Sequence, residues 1–150
     1  MKKDISQITT YESGVVQSTA HRLTMRVKAD YLAQYDLTPS QWFVIGYVYE
    51  AGTEGIRLND LRIIIDSTMP NITNLVNHLE AKGILHKVSK LEDSRVKVAR
   101  LNPKYKKLVE KIEAGLRTKL RQELYSNDHI TREELAAYIS VIYKIANGSK

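Results

Sequence analysis

The stretch Asn59–Leu101 decides the fold: NDLRIIIDSTMPNITNLVNHLEAKGILHKVSKLEDSRVKVARL. Its middle predicts a helix over residues 68–82, in which Thr68 caps the first turn and Pro70 sits where an amide has no helical partner. Apolar residues recur on one helical face, at Ile72, Leu75, Val76 and Leu79. The opposite face is small or polar and almost uncharged: Met69, Pro70, Thr73, Asn74 and Asn77. Gly83 follows as a glycine that can end the helix with a positive φ.

A shorter amphipathic helix precedes this one. Leu61, Ile64 and Ile65 are expected to form its buried side, and Asp66-Ser67 forms the turn between the two helices. Two short helices joined so tightly are typical of a helix-turn-helix.

After Gly83 the hydrophobic period changes from 3.6 to 2, which predicts strands over residues 84–88 and 96–101. Residues 89–95 between them form a polar hairpin tip, and residues 56–58 are candidates for a third, short strand. A helix-turn-helix followed by such a hairpin is a winged helix.

Several motifs in this order and spacing resemble the MarR (multiple antibiotic resistance regulator) family of transcription factors, over roughly residues 10–147. The motifs are Leu37-Thr38-Pro39-Ser40-Gln41-Trp42, Asn59-Asp60-Leu61, Asn71-Ile72-Thr73-Asn74-Leu75-Val76, Leu79-Glu80-Ala81-Lys82-Gly83, Asp93-Ser94-Arg95 and Leu101-Asn102-Pro103. The resemblance implies a mainly α fold with a small β-wing, in which long N- and C-terminal dimerisation helices flank a winged helix-turn-helix DNA-binding lobe. It also implies a dimeric, sequence-specific regulator, a repressor of bacterial genes that a small ligand releases from DNA.

Length and composition restrict the class of protein. The chain has 150 residues, which fits one domain, and no cysteine, which excludes disulfides and thiolate metal sites. No apolar run approaches the roughly 20 residues that span a bilayer, and no signal peptide is recognisable behind Met1. A cytoplasmic protein without membrane contact is expected. No Gly-rich phosphate loop, nucleophile elbow or zinc-protease signature is present, which disfavours an enzyme.

The positive charge is concentrated on the predicted winged helix. Residues 57–107 hold eleven Lys/Arg and five Asp/Glu, so this segment alone accounts for the net charge of +6. Such an excess suits a solvated basic face, but its concentration around the wing favours nucleic acid as the partner.

The flanking segments predict long helices, over residues 5–35 and, in two pieces, over residues 103–147, with a turn at Asn127-Asp128. Capping boxes are expected where two helices begin, Thr38 with Gln41 and Thr131 with Glu134. The apolar stripes of the flanking helices either complete the core of one subunit or pack across a two-fold axis, and the resemblance favours the homodimer. We expect one MarR-type domain, 1–150, with the DNA-binding lobe at about 55–102 and dimerisation helices at about 5–35 and 103–147. A dimer would present two identical reading helices ~34 Å apart, one turn of B-DNA.

The resemblance implies that the helix over residues 68–82 lies in the major groove of double-stranded DNA. Asn71 and Asn74 are candidates for bidentate contacts to adenine, and Thr73 for a base edge or a phosphate. Asn74 replaces an arginine that is frequent in the family, which favours an A/T-rich, pseudo-palindromic operator. Asn71 and Asn77 suit solvated positions equally well. The full set of candidate DNA contacts is Thr68, Met69, Pro70, Asn71, Thr73, Asn74, Asn77, Lys87, Lys90, Asp93, Arg95 and Lys97.

At the wing tip, Arg95 is expected to enter the minor groove, where A/T tracts have an enhanced negative potential. Asp93 would hold its guanidinium in a bidentate pair, and Ser94 stands where the family usually has a further basic residue. Phosphate contacts are expected from Lys87, Lys90, Lys97 and Arg100.

The resemblance also implies a small aromatic effector. Its candidate pocket residues are Tyr11, Arg22, Trp42, Phe43 and Tyr47, although aromatic residues at helical spacing also suit a core. The four histidines lack ligand spacing, so neither a metal nor a cofactor is expected. The alternative function is a winged-helix module that docks an acidic protein without specific DNA binding. Salt-dependent, site-specific binding to duplex DNA would separate the two.

Overall fold

The computed structural model describes residues 4–126 and 129–148, so the predicted turn at Asn127-Asp128 lies outside the described residues. The structure is mainly helical with a small antiparallel sheet, which confirms the expected fold class. The helices are α1 (Thr10–Leu32), α2 (Pro39–Glu50), α3 (Leu58–Ile65), α4 (Met69–Ala81), α5 (Lys106–Leu120) and α6 (Arg132–Gly148). The strands are β1 (Ile56–Arg57), β2 (Leu85–Ser89) and β3 (Lys97–Leu101).

The sheet has the order β1-β3-β2, and the third short strand predicted from the sequence is present. Both long strands begin one residue later than expected. The N–H of Ile84 donates to the carbonyl of Leu79 at 3.0 Å, which closes the C-terminal turn of α4 instead of joining the sheet. The N–H of Val96 donates to the carbonyl of Asp93 at 3.1 Å, inside the hairpin tip.

Side-chain caps fix the helix starts as the sequence predicts. The N–H of Gln41 donates to Oγ1 of Thr38 at 3.2 Å, and the N–H of Thr38 donates to Oε1 of Gln41 at 3.1 Å. The same reciprocal pair joins Thr131 and Glu134 at the start of α6, at 2.9 and 3.1 Å. Thr68 accepts from the N–H of Asn71 at 3.3 Å and so starts α4. These three caps define where α2, α4 and α6 begin.

The chain divides into two compact parts, each described by itself. One part, residues 28–116, contains the helix-turn-helix and the sheet; its buried hydrophobic side chains include Ile45, Leu61, Ile72, Val76, Leu79, Leu85 and Ile112. The other part consists of the described residues among 1–27 and 117–150, and α6 within it has no buried residue. No helix in the described part of the chain has the length and apolar content that crossing a membrane requires.

Three details differ from the sequence-based expectations. The first long helix begins at Thr10 instead of residue 5, because Thr9 accepts from the N–H of Glu12 at 3.1 Å and caps it. The segment expected as one helix from residue 103 to 125 is a 3-10 turn, then α5, then a π-helical turn over Arg121–Tyr125. Ile64 is 38% exposed and does not belong to the buried side of α3.

The exposure of Ile64 follows from which face of α3 is buried. The buried side runs through positions i, i+3 and i+7, which are Leu58, Leu61 and the half-buried Ile65. Ile64 then lies beside this face and not on it.

Candidate nucleic-acid interface

Helix α4 presents a polar, almost uncharged surface opposite its buried face. Ile72, Val76 and Leu79 are fully buried and attach the helix to the core. The exposed outward residues are Pro70, Asn71, Asn74, Asn77 and His78. These five residues offer hydrogen-bond donors and acceptors and no carboxylate, and the exposed carboxylate of Glu80 on the same helix accepts from the backbone N–H of Lys87.

The C-terminal end of α4 is tied to two turns. The ammonium of Lys82 forms an ion pair with the Asp36 carboxylate, Nζ to Oδ2 at 3.3 Å, and also donates to the Asp36 carbonyl. Nδ2 of Asn102 donates to the carbonyl of Gly83 at 3.0 Å, and the hydroxyl of Tyr105 donates to the carbonyl of Lys82 at 3.4 Å. Gly83 has φ of 76°, the left-handed conformation that the sequence predicts for it. These contacts from before α2 and after β3 add to the buried face in holding the C-terminal end of α4.

A cleft of about 540 Å³ lies between the start of α3, one flank of α4 and the wing. Its lining residues are Arg57, Leu58, Asn59, Asp60, Met69, Thr73, Lys87, Arg95, Val96 and Lys97. Four of these carry a positive charge and Asp60 alone carries a negative one. We name it the basic cleft; its charge suits a polyanion that passes between α4 and the wing.

The strand register explains how the basic cleft gathers its charges. Ser89 pairs with Lys97 and Lys87 pairs with Ala99, so the two lysines share one face of the sheet. Leu85 and Ala99 on the same face are buried, which turns that face toward the helices. Arg57 lines the cleft from β1, but its pairing with Val98 is on the opposite face of the sheet, so register accounts for the two lysines and not for Arg57.

At the wing tip, Asp93 and Arg95 form the predicted bidentate pair. Nε of Arg95 lies 3.1 Å from Oδ1 of Asp93, and Nη2 lies 3.2 Å from Oδ2. Oδ1 also accepts from the backbone N–H of Arg95 at 3.0 Å. These hydrogen bonds from Arg95 lower the pKa of the Asp93 carboxyl below its ordinary value of 3.8. The side chain of Arg95 remains 90% exposed, so its charge is available to a partner.

Two hydrogen bonds connect Lys87 on the wing to α4. Its ammonium donates to Oδ1 of Asn77 at 2.6 Å, and its backbone N–H donates to Oε2 of Glu80 at 2.7 Å. The ammonium of Lys97 donates to the hydroxyl of Ser89 at 2.6 Å, across the hairpin. Lys87 is thus held by α4, whereas Lys97 is held by the wing itself.

The predicted residues divide between two faces of the wing. Arg95, Lys87 and Lys97 meet in the basic cleft with Met69 and Thr73 of α4. Lys90 and Arg100 instead line a separate depression, which also contains Glu54 and Glu92. Arg100 pairs with His86 and therefore points to the opposite face of the sheet from Lys87.

Sequence reasoning missed several residues of this surface, namely Arg57, Asn59, Ser67 and Glu80. Arg57 lies in the predicted third strand, so its position beside the wing could have been predicted from the pairing expected for that strand. Ser67 and Glu80 act through hydrogen bonds to Asn71 and Lys87, and no periodicity signals such contacts.

The residues predicted for an effector pocket lie in both compact parts. Tyr11 and Arg22 are exposed on α1. In the other part, Trp42 is 7% exposed and belongs to the core, Tyr47 is partly exposed, and Phe43 has the ammonium of Lys28 5.4 Å from its ring centroid. Burial lowers the pKa of Lys28, while the charge of Glu113 acts in the opposite direction. No three His, Asp or Glu side chains converge as a metal site would require within residues 4–126 and 129–148.

Solved structures similar to this chain are MarR-type regulators. A MarR-family transcriptional regulator from Rhodococcus sp. RHA1 has a TM-score of 0.82 at 16% identity, covering 93% of this chain and 96% of its own. MepR from S. aureus, in complex with DNA, has a TM-score of 0.71 at 24% identity, with coverage of 95% and 99%. BpsR from Bordetella bronchiseptica, whose DNA binding is regulated by 6-hydroxynicotinic acid, has a TM-score of 0.77 at 16% identity, with coverage of 97% and 98%. At these identities the likeness establishes the fold.

A comparison with curated proteins finds no match. The sequence profile of the transcriptional regulators SarA/Rot matches residues 26–112, which is more than half of the chain and includes α2, the helix-turn-helix and the whole wing. This family consists of transcriptional regulators and not of enzymes. With the MarR-type winged helix described above, the match shows that the chain belongs to the SarA/Rot family of transcriptional regulators.

Proposed function

We propose that the protein is a homodimeric regulator that binds a pseudo-palindromic, A/T-rich DNA operator as a repressor of bacterial genes and is released by a small aromatic ligand. In this proposal the chain works as one domain, with the DNA-binding lobe at about 55–102 and the dimerisation helices at about 5–35 and 103–147. The observation that carries it is the basic cleft beside the uncharged surface of α4.

The basic cleft has the place and charge of a backbone-binding site. When a helix lies in the major groove and a wing reaches the adjacent minor groove, the sugar–phosphate backbone that separates the two grooves passes between them. Here that position holds Arg57, Lys87, Arg95 and Lys97. Contacts to phosphates contribute affinity and salt dependence but carry no sequence information.

Base recognition is assigned to α4 and Arg95. The exposed amides of Asn71, Asn74 and Asn77 suit hydrogen bonding to base edges, and Met69 and Pro70 suit thymine methyl groups. Arg95, braced by Asp93, suits the narrow minor groove of an A/T tract. Lys90, on the other face of the wing, is assigned to a more distant phosphate.

Dimerisation is supported by α6, which has 17 residues and none buried. One broad side of it is apolar: Leu135 on this side is half-buried, and the others are exposed, namely Tyr138, Ile139, Val141, Ile142, Tyr143 and Ile145. Monomeric proteins rarely expose such a patch, and a two-fold contact between identical helices would cover it. Light scattering should give twice the chain mass of 17.2 kDa. Ile142→Glu should yield the monomer, whereas Lys144→Glu, on the polar side of α6, should keep the dimer; a monomeric wild type contradicts the assignment.

An effector site is proposed at Lys28 and Phe43. A half-buried ammonium over an aromatic ring offers an aromatic carboxylate both a charge partner and a stacking surface. Binding of an anion would also raise the lowered pKa of Lys28. Hydroxylated aromatic carboxylates, beginning with 6-hydroxynicotinic acid, should weaken DNA binding by the wild type and have no effect on Lys28→Met. An equal response of both proteins would place the effector elsewhere.

The decisive test of DNA binding is selection from a randomised duplex pool by the purified protein at ~0.15 M salt. We expect an A/T-rich inverted repeat whose half-site centres are about one helical turn apart. Binding to the selected site should decrease steeply as salt increases. Recovery of unenriched sequences would overturn specific recognition and favour a winged-helix module that docks an acidic protein.

A further inference from the structure

Two asparagines of α4 use opposite ends of their side-chain amides within the protein. Nδ2 of Asn71 donates to the hydroxyl of Ser67 at 2.7 Å. Oδ1 of Asn77 accepts from the ammonium of Lys87 at 2.6 Å. Both side chains are otherwise exposed on the surface that the proposed function assigns to DNA.

Each internal bond occupies one end of an amide and leaves the other end facing outward. A carboxamide has one accepting oxygen and one donating NH₂ group, on opposite branches of a planar unit. With its nitrogen held by Ser67, Asn71 offers its oxygen, an acceptor. With its oxygen held by Lys87, Asn77 offers its NH₂ group, a donor.

The backbone contacts of Lys87 hold its ammonium in place beside Asn77. The N–H of Lys87 donates to Oε2 of Glu80, one turn beyond Asn77 on α4, and β2 pairs Lys87 with Ala99. The ammonium therefore approaches Asn77 from a fixed strand. A positive charge beside Oδ1 also disfavours the flipped amide, which would direct NH₂ hydrogens toward Lys87.

The major groove distinguishes bases by these two kinds of atom. Donors there are the amino groups of adenine and cytosine, whereas acceptors are purine N7, guanine O6 and thymine O4. Cytosine alone presents a donor and no acceptor. Asn71 and Asn77 are six residues apart, about 9 Å along the helix, so they face different base pairs.

We propose that Asn71 and Asn77 are specificity residues of opposite polarity: Asn71 selects a base with an amino group, and Asn77 selects a base with an acceptor and rejects cytosine. Lys87, whose ammonium can only donate, is the positioning residue that sets the polarity of Asn77, whereas the Ser67 hydroxyl accepts from Asn71 and accompanies its outward oxygen. This inference rests on the proposed DNA-binding function and specifies its chemistry.

A matched pair of substitutions tests the proposal, because Asn→Asp adds the same negative charge at either position. In Asn77→Asp the outward group becomes an acceptor, while Lys87 still binds the inner oxygen. In Asn71→Asp the outward group remains an acceptor, and the Ser67 hydroxyl can rotate to donate to the inner carboxylate oxygen. Both positions are exposed, and thermal unfolding of the free proteins checks that both variants fold.

The measurement is selection from a randomised duplex pool with the wild type and each variant, scored by relative base preference at every position. We expect the wild type to deplete cytosine at one position of each half-site, and Asn77→Asp to enrich cytosine there by about 10-fold or more. Asn71→Asp should weaken overall binding but keep the base preferences of the wild type. Lys87→Met, which frees the Asn77 amide to rotate, should reduce the discrimination against cytosine at that same position.

Three outcomes would overturn the inference. If cytosine stays depleted with Asn77→Asp, Asn77 does not present a donor to a base. If Asn71→Asp gains cytosine equally at its own position, the added charge and not the polarity governs the preference. If the wild type itself enriches no site, the proposed function fails together with the inference, whereas the first two results leave that function intact.

Discussion

The guanidinium of Arg95 is braced by the carboxylate of Asp93, with Nε to Oδ1 at 3.1 Å and Nη2 to Oδ2 at 3.2 Å. The contact is entirely local, between residues two positions apart at the wing tip. It leaves Arg95 pointing into solvent as a partly ordered cation, which reduces the conformational entropy that binding must remove.

The pKa of Asp93 should depend directly on its pairing with Arg95. Its folded pKa is lowered, so the interaction is complete above the ordinary value of 3.8 and is lost as the pH falls through the folded pKa. In an NMR titration, the carboxyl carbon of Asp93 should therefore have its midpoint below 3.8. In Arg95→Ala that midpoint should rise toward 3.8; an unchanged midpoint would mean that other groups lower the pKa.

Arg95 is expected to contribute more to DNA binding than the other wing arginine. Arg95→Ala should lose ~1–3 kcal/mol of specific binding, because it removes the charge that we propose to enter the minor groove. Arg100→Ala is the matched control, since Arg100 lies on the opposite face of the sheet and outside the basic cleft. Titration of the selected operator measures both. Equal losses for the two variants, or no loss with Arg95→Ala, would contradict the assignment.

Leu61 and Ile64, which the sequence analysis placed together on the buried side of α3, should contribute differently to the free energy of unfolding. Leu61 is fully buried, so Leu61→Ala should lower the free energy of unfolding by about 2–5 kcal/mol. Ile64 is 38% exposed, and Ile64→Ala should cost clearly less. Denaturant unfolding at one protein concentration compares them, since the proposed dimerisation would make stability depend on concentration. Similar losses for the two variants would show that Ile64 contributes to the core as much as Leu61 does.

Gly115 on α5 lies against the hydroxyl and ring of Tyr31 on α1, close enough that an added Cβ would overlap the tyrosine. A Gly→Ala change inside a helix otherwise gains about 1 kcal/mol. Gly115→Ala should nevertheless destabilise the protein, because the ring of Tyr31 must move. Overpacking of this kind lowers the free energy of unfolding by about 1–3 kcal/mol.

Gly46→Ala in α2 provides the control, since nothing lies within 4 Å of its added Cβ. It should raise the unfolding midpoint, whereas Gly115→Ala should lower it. Adding Tyr31→Ala to Gly115→Ala should recover part of the loss. An increase in the midpoint with Gly115→Ala alone would show that Tyr31 moves aside at little cost.

The local features of this fold were accessible from the sequence. The caps at Thr38, Thr68 and Thr131 and the glycine after α4 depend on residues within one turn, and each is present. The Asp93–Arg95 pair was accessible for the same reason. Alternation in β3 indicated a wing, and the third strand followed from a short apolar segment beside it.

The relations that the sequence did not reveal join residues far apart along the chain. Lys82 bonds Asp36 across 46 positions, and Lys87 reaches Asn77 and Glu80 from the following strand. Such contacts depend on how elements pack, which composition and periodicity do not encode. The sequence also assigned Lys87, Lys90, Lys97 and Arg100 one common role, whereas Lys87 and Lys97 line the basic cleft and Lys90 and Arg100 line a separate depression. The sequence alone does not distinguish Asn71 from Asn77, because their hydrogen-bond partners, Ser67 and Lys87, are known only from the structure.

The tip of the wing is closed by bonds among its own residues. Lys90 donates to the carbonyl of Val96, Val96 donates to Asp93, and Lys97 reaches Ser89. A loop closed in this way can change its sequence while its ends stay fixed on the sheet. If the proposed DNA contacts hold, natural selection or an engineer can therefore alter minor-groove preference by exchanging this loop between regulators, while α4 is inherited unchanged.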